Sequence, residues 1–322
     1  MAFLGIDLGG TNARAAVVDA SGRILSSARM RLTARTPEAV VDAIGLAVKD
    51  ALGMERAPIQ GCGVGVAGQL DVQAGRVLVA PNLHWRDVPF GALLEAKLGH
   101  PVRLVNDLSA AAWGEFRAGA GQGARNIFVV FVGSGVGSAI IANERLVPGE
   151  TGVAGEFGHV KVVSDGRMCG CGELGCLEAY AGGHNLIAQM REALESGRET
   201  QLRAVSGGDP GQLTPAHLER AALAGDPVAK EIYDRARSFL MLAVANQVTV
   251  LNPGRLILGG GVLMHTPALR RSIEEGVERY ASGTARRAVQ VLDASLGDDS
   301  GIIGAALIAA ELKVSVGDTN TL

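Results

Sequence analysis

The feature that most constrains this chain is a pattern that occurs twice: an apolar strand, a glycine turn and a second strand. The first copy runs from Phe3 to Ile24 and contains the turn Gly9-Gly10-Thr11-Asn12. The second copy begins at Ile127 and contains the turn Gly133-Ser-Gly-Val-Gly137. Each copy continues into a third short strand, as in a β-meander. A repeated meander predicts two related α/β domains more simply than one doubly wound sheet does.

The glycines of this chain are abundant, and many of them are grouped in predicted turns. The chain has 45 glycines among 322 residues, which is roughly twice the usual share of ~7%. A hydrophobic content of 48% and only 11 prolines favour a folded globule over a disordered or collagen-like chain. We therefore expect the glycines to serve turns and ligand-binding loops.

Helices are predicted after the first meander and throughout the later part of the chain. One helix is expected from Thr36, with Pro37 at its first position, and a long one after Asp226-Pro227. An apolar helix from Gly301 to Leu312 is expected to return to the first domain. The predicted domains are a smaller one of residues 1–115 plus 301–322, and a larger one of residues 116–300 with a helical insert.

The charge distribution excludes two classes of partner. The formal net charge is −3, from 30 basic and 33 acidic residues, and no block of basic residues is present. This distribution does not suit nucleic acid or an acidic membrane surface. The start of the sequence, Met1 to Asp7, has no basic region, and no run approaches the ~18 apolar residues of a membrane span. We expect a soluble cytoplasmic protein that binds neither nucleic acid nor membrane.

The first glycine turn has the composition of a phosphate-binding loop. Gly9 and Gly10 allow backbone N–H groups to approach a phosphate, and Thr11 and Asn12 add side-chain donors. Asp7, at the end of the preceding strand, is placed to hold Mg²⁺ through water. An ordinary hairpin turn is the alternative, because short glycine motifs are common.

Two further glycine turns strengthen the prediction of a nucleotide site. Gly133, Ser134 and Gly135 form the equivalent turn of the second meander, and Gly259, Gly260 and Gly261 follow a strand and precede a helix. The third turn would admit an adenosine group. No Gly-Lys-Ser/Thr follows any of these turns, so the site is not a P-loop.

Four motifs together resemble the ROK family of sugar kinases and regulators, and its glucokinase-type members in particular. The resemblance extends from Phe3 to about Leu312 and implies an actin- and hexokinase-like (ribonuclease H-like) fold, with two α/β domains around a cleft. It also implies a homodimer or homotetramer. The motifs are Asp7-Leu-Gly-Gly-Thr-Asn12, Val105-Asn106-Asp107, Gly155-Glu156-Phe-Gly158-His159 and Cys169-Gly-Cys171-Gly-Glu-Leu-Gly-Cys176-Leu-Glu178.

The resemblance implies roles for the residues in these motifs. Asp107 would be the catalytic base that takes a proton from a sugar hydroxyl, and Asn106 would bind neighbouring hydroxyls. Either residue is also a candidate N-cap of the helix that follows, and the sequence leaves this open. The remaining residues implied to bind the sugar are Glu156, His159, Glu178, Asn82 and Gly68.

The cysteine cluster predicts a structural zinc site. Cys169, Cys171 and Cys176 are three soft ligands, and His159 is the candidate for the fourth. A closed set of four ligands would shape the loop and activate no nucleophile. Free thiols or one disulfide are the alternatives, and Cys62 is expected to be a buried core thiol.

Two residues depart from the common pattern of the family. Gln69 stands where many members have proline, which affects the expected shape of the sugar loop. Ser134 replaces the commoner threonine of the second turn and keeps its hydroxyl donor.

The resemblance implies an ATP- and Mg²⁺-dependent kinase that phosphorylates the 6-hydroxyl of a hexose, with glucose ranked first. Kinases for N-acetylglucosamine, N-acetylmannosamine, fructose or allose share nearly all of these motifs, and polyphosphate is an alternative donor. A sugar-responsive ROK regulator and a non-catalytic actin-like ATPase are the competing classes.

Overall fold

The computed structural model of this protein describes residues 1–53 and 58–311. The strands are β1 (Ala2–Leu8), β2 (Asn12–Asp19), β3 (Ile24–Arg31), β4 (Ile59–Val66), β5 (Gln69–Asp71), β6 (Arg76–Ala80), β7 (Trp85–Val88), β8 (Val102–Asn106), β9 (Ile127–Val132), β10 (Val136–Ala142), β11 (Arg145–Leu146), β12 (Arg255–Gly259) and β13 (Gln290–Asp293). The helices are α1 (Pro37–Gly53), α2 (Phe90–Leu98), α3 (Asp107–Ala118), α4 (Glu178–Ala181), α5 (Gly183–Glu195), α6 (Leu202–Val205), α7 (Pro215–Leu223), α8 (Pro227–Leu251), α9 (Gly261–His265), α10 (Pro267–Tyr280), α11 (Gly283–Ala288) and α12 (Ser300–Glu311).

The two predicted meanders each supply three strands of a five-stranded sheet. The first sheet has the order β3-β2-β1-β4-β8, with β1 to β3 antiparallel and β4 and β8 parallel to β1. The second sheet has the order β11-β10-β9-β12-β13, with β12 parallel to both β9 and β13. The two sheets therefore have the same strand order, as expected of two related α/β domains.

The central strands are long runs of apolar residues because both of their faces are covered. Along β1, five consecutive residues from Ala2 to Ile6 are buried, and β9 begins with four buried residues. Central parallel strands in α/β proteins show this continuous apolar pattern, whereas half-exposed strands alternate.

Helix α12 packs against the first sheet at very short distances. A Cβ atom added to Gly63 in β4 would lie 1.8 Å from the Ala305 carbonyl oxygen, and one added to Gly5 in β1 would lie 2.1 Å from the carbonyl oxygen of Ile302. Glycine at both positions lets the helix backbone lie directly on the strands. The prediction that the last helix returns to the beginning of the chain is confirmed.

The described residues form two compact units. The first comprises residues 1–53, 58–125, 139–154 and 294–311; the second comprises Asn126–Ser138 and Gly155–Asp293. The domain boundaries expected from the sequence stay a prediction.

A small antiparallel sheet, β5-β6-β7, follows β4 and was not expected from the sequence. Its strands are only three to five residues long, so they have too few alternating positions to form a clear pattern. Among the described residues, no helix has the length and hydropathy that crossing a membrane requires.

Candidate active site

The first glycine turn joins two paired strands of the first unit. β1 ends at Leu8 and β2 begins at Asn12, and the Gly9 amide donates a hydrogen bond to the Asn12 carbonyl at 3.0 Å. Asp7 lies next to the turn, opposite Arg14 in the strand register. Burial raises the pKa of the Asp7 carboxyl, while the positive charges of Arg14 and Arg29 oppose this rise. Asp7 and the glycine turn therefore lie at the end of β1, as predicted.

The loop that contains Asn82 lies against this turn. A Cβ atom added to Gly10 would lie 3.3 Å from Asn82 Cβ, so glycine allows the two segments to touch. Arg35 connects the same two segments: its Nε donates to the Gly10 carbonyl at 3.3 Å, and its own carbonyl accepts from Trp85 Nε1 at 2.5 Å. Its guanidinium also lies 3.2 Å from His84 Nε2. Arg35 was not predicted as part of the site, because nothing in the local pattern indicates contacts with residues 25 and 50 positions away.

Asn106 and Asp107 stand where β8 ends and α3 begins. Asn106 is the N-cap: its Oδ1 accepts hydrogen bonds from the amides of Leu108 and Ser109 at 3.0 and 3.1 Å. Its Nδ2 donates to the Gly68 carbonyl at 3.3 Å, which ties the strand end to the predicted sugar loop. Asp107 is half-buried in the first turn of α3. The capping interpretation therefore applies to Asn106, and Asp107 begins the helix.

The second and third glycine turns lie side by side in the second unit. A Cβ atom added to Gly133 would lie 4.0 Å from the Gly261 nitrogen. Gly260 has a φ of 91°, and a Cβ atom there would lie 2.5 Å from the Val132 carbonyl oxygen, so both its conformation and its contacts require glycine. The turn of Gly133 to Gly135 is fixed from α5, because the Gly183 and His184 amides donate to the Gly133 and Ser134 carbonyls, each at 2.9 Å.

A cavity of about 460 Å³ opens beside these two turns. This volume lies in the range of small-molecule sites. Its walls combine apolar side chains with two histidines and two hydroxyls. Besides the glycines, the lining includes Ser134, His184, Ile187, Thr214, Val262 and His265. The lining residues from α5, α9 and the start of α7 were not predicted, because their assembly here depends on tertiary packing.

The predicted zinc ligands converge in the second unit. The ligand atoms of His159, Cys169, Cys171 and Cys176 all lie within 4.8 Å of one another. Cys171 Sγ and Cys176 Sγ are 3.8 Å apart, and Cys169 Sγ is 3.7 Å from His159 Nδ1. In a tetrahedral zinc site with Zn–S bonds of about 2.3 Å, neighbouring sulfur atoms are roughly 3.8 Å apart. These four residues therefore fit zinc in both chemistry and spacing.

Two carboxylates flank the zinc-ligand cluster. Glu156 Oε2 lies 3.6 Å from His159 Nε2, on the side of the ring away from Cys169. Glu178 Oε1 lies 3.8 Å from Cys169 Sγ, and its Oε2 accepts a hydrogen bond from the Val136 amide at 2.9 Å. The structure thus brings together Glu156, His159 and Glu178, which the resemblance implied as sugar ligands.

The paired five-stranded sheets and their glycine turns define an actin-like sugar kinase fold. Two solved structures share it over almost the whole chain. The ROK hexokinase from Thermus thermophilus is 31% identical, with a TM-score of 0.83, over 98% of this chain and 100% of that one. A ROK family glucokinase from Streptomyces griseus, in complex with glucose and AMPPNP, is 37% identical, with a TM-score of 0.79, over 97% of this chain and 100% of that one.

This chain belongs to the ROK family, whose profile matches residues 3–312. Among curated relatives, the glucokinase of Streptomyces coelicolor is 39% identical over 312 residues, which cover 96% of this chain and 97% of the relative. The family, the fold class and the glucokinase type predicted from the four motifs are confirmed.

Proposed function

We propose that this protein is a glucokinase that transfers the γ-phosphoryl group of ATP to the 6-hydroxyl of glucose in the cytoplasm. The observation that carries this proposal is the full-length similarity to a ROK glucokinase that binds glucose and AMPPNP. The residues predicted for each part of the reaction are present in this chain and lie in ordered turns and helix ends.

Asp107 would act as the general base. In phosphoryl transfer, the enzyme mainly positions the reactants and accepts the proton of the attacking hydroxyl. A half-buried carboxylate in the first turn of α3 suits this role. Asn106 would fix the start of the helix and, through Gly68, the adjoining loop. The residues proposed to bind sugar hydroxyls are Asn82, Gly68, Asn106, Glu156, His159 and Glu178.

The nucleotide would be bound by the glycine turns. Backbone amides in Gly9 to Asn12 and in Gly133 to Gly135 would receive phosphates, and the 460 Å³ cavity beside Gly259 to Gly261 would take the adenosine. Asp7 would hold Mg²⁺, which when bound would neutralise charge on the phosphates. The cation would also counteract the effect of burial, which raises the pKa of Asp7.

Zinc held by His159, Cys169, Cys171 and Cys176 would be structural. Four protein ligands leave no open position for water, so the metal's contribution is to fix the loop. With Nδ1 bound to zinc, His159 Nε2 would carry the proton on the Glu156 side, where it would donate a hydrogen bond to the sugar.

The test is a kinetic comparison of sugars and donors with the purified protein. With ATP and Mg²⁺ we expect the highest kcat/KM for glucose among glucose, N-acetylglucosamine, N-acetylmannosamine, fructose and allose, and higher rates with ATP than with polyphosphate. Preference for another sugar would reassign the substrate within the family, and the absence of any sugar-dependent ADP release would refute the kinase itself. Light scattering after size exclusion tests the expected homodimer or homotetramer.

A substitution of Asp107 tests the mechanism. Asp107→Asn should lower kcat by roughly a hundred- to ten-thousandfold with little change in the KM for glucose, since it removes the base and keeps the shape. Asp42→Asn is the control, because Asp42 is an exposed carboxylate that pairs with Lys97 at 2.6 Å. An Asp107→Asn enzyme with wild-type turnover would show that another group accepts the proton.

A further inference from the structure

Glu178 is proposed to bind the sugar, and its carboxylate also accepts a hydrogen bond from the second glycine turn. The residue begins α4, two positions after the zinc ligand Cys176. Its Oε2 accepts a hydrogen bond from the Val136 amide at 2.9 Å, at the point where the turn enters β10. One side chain therefore connects the zinc-binding loop to the turn.

The turn is shaped to receive this carboxylate. A Cβ atom added to Gly135 would lie 2.3 Å from Glu178 Oε2, so glycine is what permits the contact. Gly182, at the other end of α4, has the same property: a Cβ atom there would lie 3.0 Å from Glu178 Cγ and 3.3 Å from Gly135 Cα. Two glycines thus make room for one side chain, which points to a specific contact and not to a chance approach at the surface.

The backbone of the turn is held at three successive points. The Gly133 and Ser134 carbonyls accept hydrogen bonds from the first two amides of α5, and Glu178 takes the amide of Val136. The first two bonds fix the direction of the carbonyl groups. The third fixes the last peptide of the turn, and with it the direction in which the neighbouring amides point.

We propose that Glu178 is a positioning residue for the nucleotide: it holds the Gly133–Val136 turn in the conformation that binds phosphate, in addition to its role towards the sugar. This inference rests on the proposed function of the turn. It predicts that Glu178 contributes to nucleotide affinity even when no sugar is present, whereas a residue that binds only sugar does not.

The experiment measures AMPPNP binding in the presence of Mg²⁺ and the absence of sugar, by isothermal titration calorimetry. Glu178→Ala should weaken AMPPNP binding by about tenfold, the effect of losing one charge-assisted hydrogen bond that orders the site. Glu178→Gln should bind AMPPNP with a Kd within about twofold of the wild type, because its amide oxygen still accepts the hydrogen bond from the Val136 amide. Its KM for glucose should rise, because the carboxylate that binds the sugar is lost. Glu156→Ala, a carboxylate on the other side of the zinc-ligand cluster, should leave AMPPNP binding unchanged.

The glutamine variant also separates two opposing effects of the carboxylate. A negative charge beside a triphosphate repels it, so loss of the charge alone would tighten binding. If both Glu178→Ala and Glu178→Gln bind AMPPNP as well as or better than the wild type, the positioning role is refuted. If the wild type itself does not bind AMPPNP, the proposed kinase function fails instead.

A substitution at Gly135, the other partner of the contact, tests the proposal even if Glu178→Ala does not fold. In Gly135→Ala, the new Cβ should displace the carboxylate and weaken AMPPNP binding by a similar factor. The double variant Gly135→Ala/Glu178→Ala should bind no more weakly than either single variant, since both changes break the same hydrogen bond. Additive losses would mean that the alanine obstructs the nucleotide directly and would overturn the proposal. Zinc content per chain should stay equal to wild type in every variant.

Discussion

The four cysteines of the chain occupy two different environments. Cys62 is fully buried in β4, and burial raises the pKa of its thiol to about 12. Cys169, Cys171 and Cys176 lie around His159 with the spacing of a zinc site. A buried thiol in an apolar strand is chemically inert, whereas clustered sulfurs with this spacing can bind a metal ion. Substitution of the two kinds should therefore have separate consequences.

Cys171→Ser should reduce the zinc content from about one ion per chain to well below half, because the hydroxyl is a much poorer zinc ligand than a thiolate. The KM for glucose should rise, since the loop carries His159. Zinc is measured by mass spectrometry of the purified protein, and Cys62→Ala is the matched control that keeps full occupancy. Equal zinc content in the two variants would contradict the assigned ligand set.

At the scale of single residues, the sequence predicted motifs better than contacts. The cysteine spacing and the Asn106-Asp107 pair were identified because each is a local pattern, and the structure then settled which of the pair is the cap. Arg35 was missed because its partners, Gly10 and Trp85, are distant in sequence. The link from Glu178 to Val136 was missed for the same reason. The individual catalytic and binding roles stay predictions.

Helix α8 has an N-cap residue, Asp226, that accepts several hydrogen bonds. Its N-cap, Asp226, accepts hydrogen bonds from the Ala229 amide at 2.7 Å, the Gln201 amide at 2.5 Å and the Thr200 hydroxyl at 3.0 Å. Burial alone would raise the pKa of Asp226, but these hydrogen bonds to the ionised form outweigh it and hold the pKa below its usual value. The helix start predicted at Asp226-Pro227 is thereby confirmed.

Asp226→Ala should lower the free energy of unfolding by about 2 kcal/mol at neutral pH, because the cap and its further partners are left without an acceptor. Asp226→Asn should lose less, since it keeps one acceptor oxygen. The folded-state pKa is depressed, so the stabilisation is present above the unfolded-state value and is lost as the pH falls through the folded-state value. Urea unfolding of wild type and Asp226→Asn at pH 7 and at pH 4 and below should show the difference shrinking in acid. A constant difference would mean that the charge does not matter.

The contact between α12 and the first sheet gives a second prediction for an element. Gly63→Ala should lower the free energy of unfolding by about 3 kcal/mol or more, because its Cβ would meet the Ala305 carbonyl, a backbone atom that cannot rotate away. Gly53→Ala is the control: Gly53 lies at the end of α1, with no described atom within 4 Å of an added Cβ. The two variants are compared by denaturant unfolding, and equal stabilities would show that α12 can shift at no cost.

The elements that the sequence predicted have a clear local signal. The strands of both meanders are bounded by turn residues, α1 begins with Thr36-Pro37, and α12 is a long apolar run. Strands β5 to β7 and β13 were not predicted, since each is three to five residues long and at most two of those residues are buried.

In the whole molecule, the two sheets have the same strand order, which explains why the same type of glycine turn occurs in both. Each sheet places a glycine turn between its first two strands in the chain, at Gly9–Thr11 and at Gly133–Gly135. The internal repeat was visible in the sequence because the turn chemistry is repeated along with the strands. The domain boundaries expected from the sequence stay a prediction.

Glucose should raise the midpoint temperature of thermal unfolding. A ligand that binds the folded state at a hundred times its Kd adds about 2.7 kcal/mol, which for a protein of this size corresponds to a rise of several degrees. The shift is measured by differential scanning fluorimetry in a glucose series, with galactose as the epimeric control. Equal shifts with both sugars, or none with glucose, would argue against a glucose-selective site.

The packing of Gly5 and Gly63 against Ile302 and Ala305 also bears on the order of events during synthesis on the ribosome. Strands β1 and β4 leave the ribosome before α12, the helix that covers them. The second unit, whose segments lie between Asn126 and Asp293, is translated in full before α12 appears. The first sheet is therefore begun before the second unit is made and completed after it, and until α12 is made the apolar strands of that sheet lack this cover.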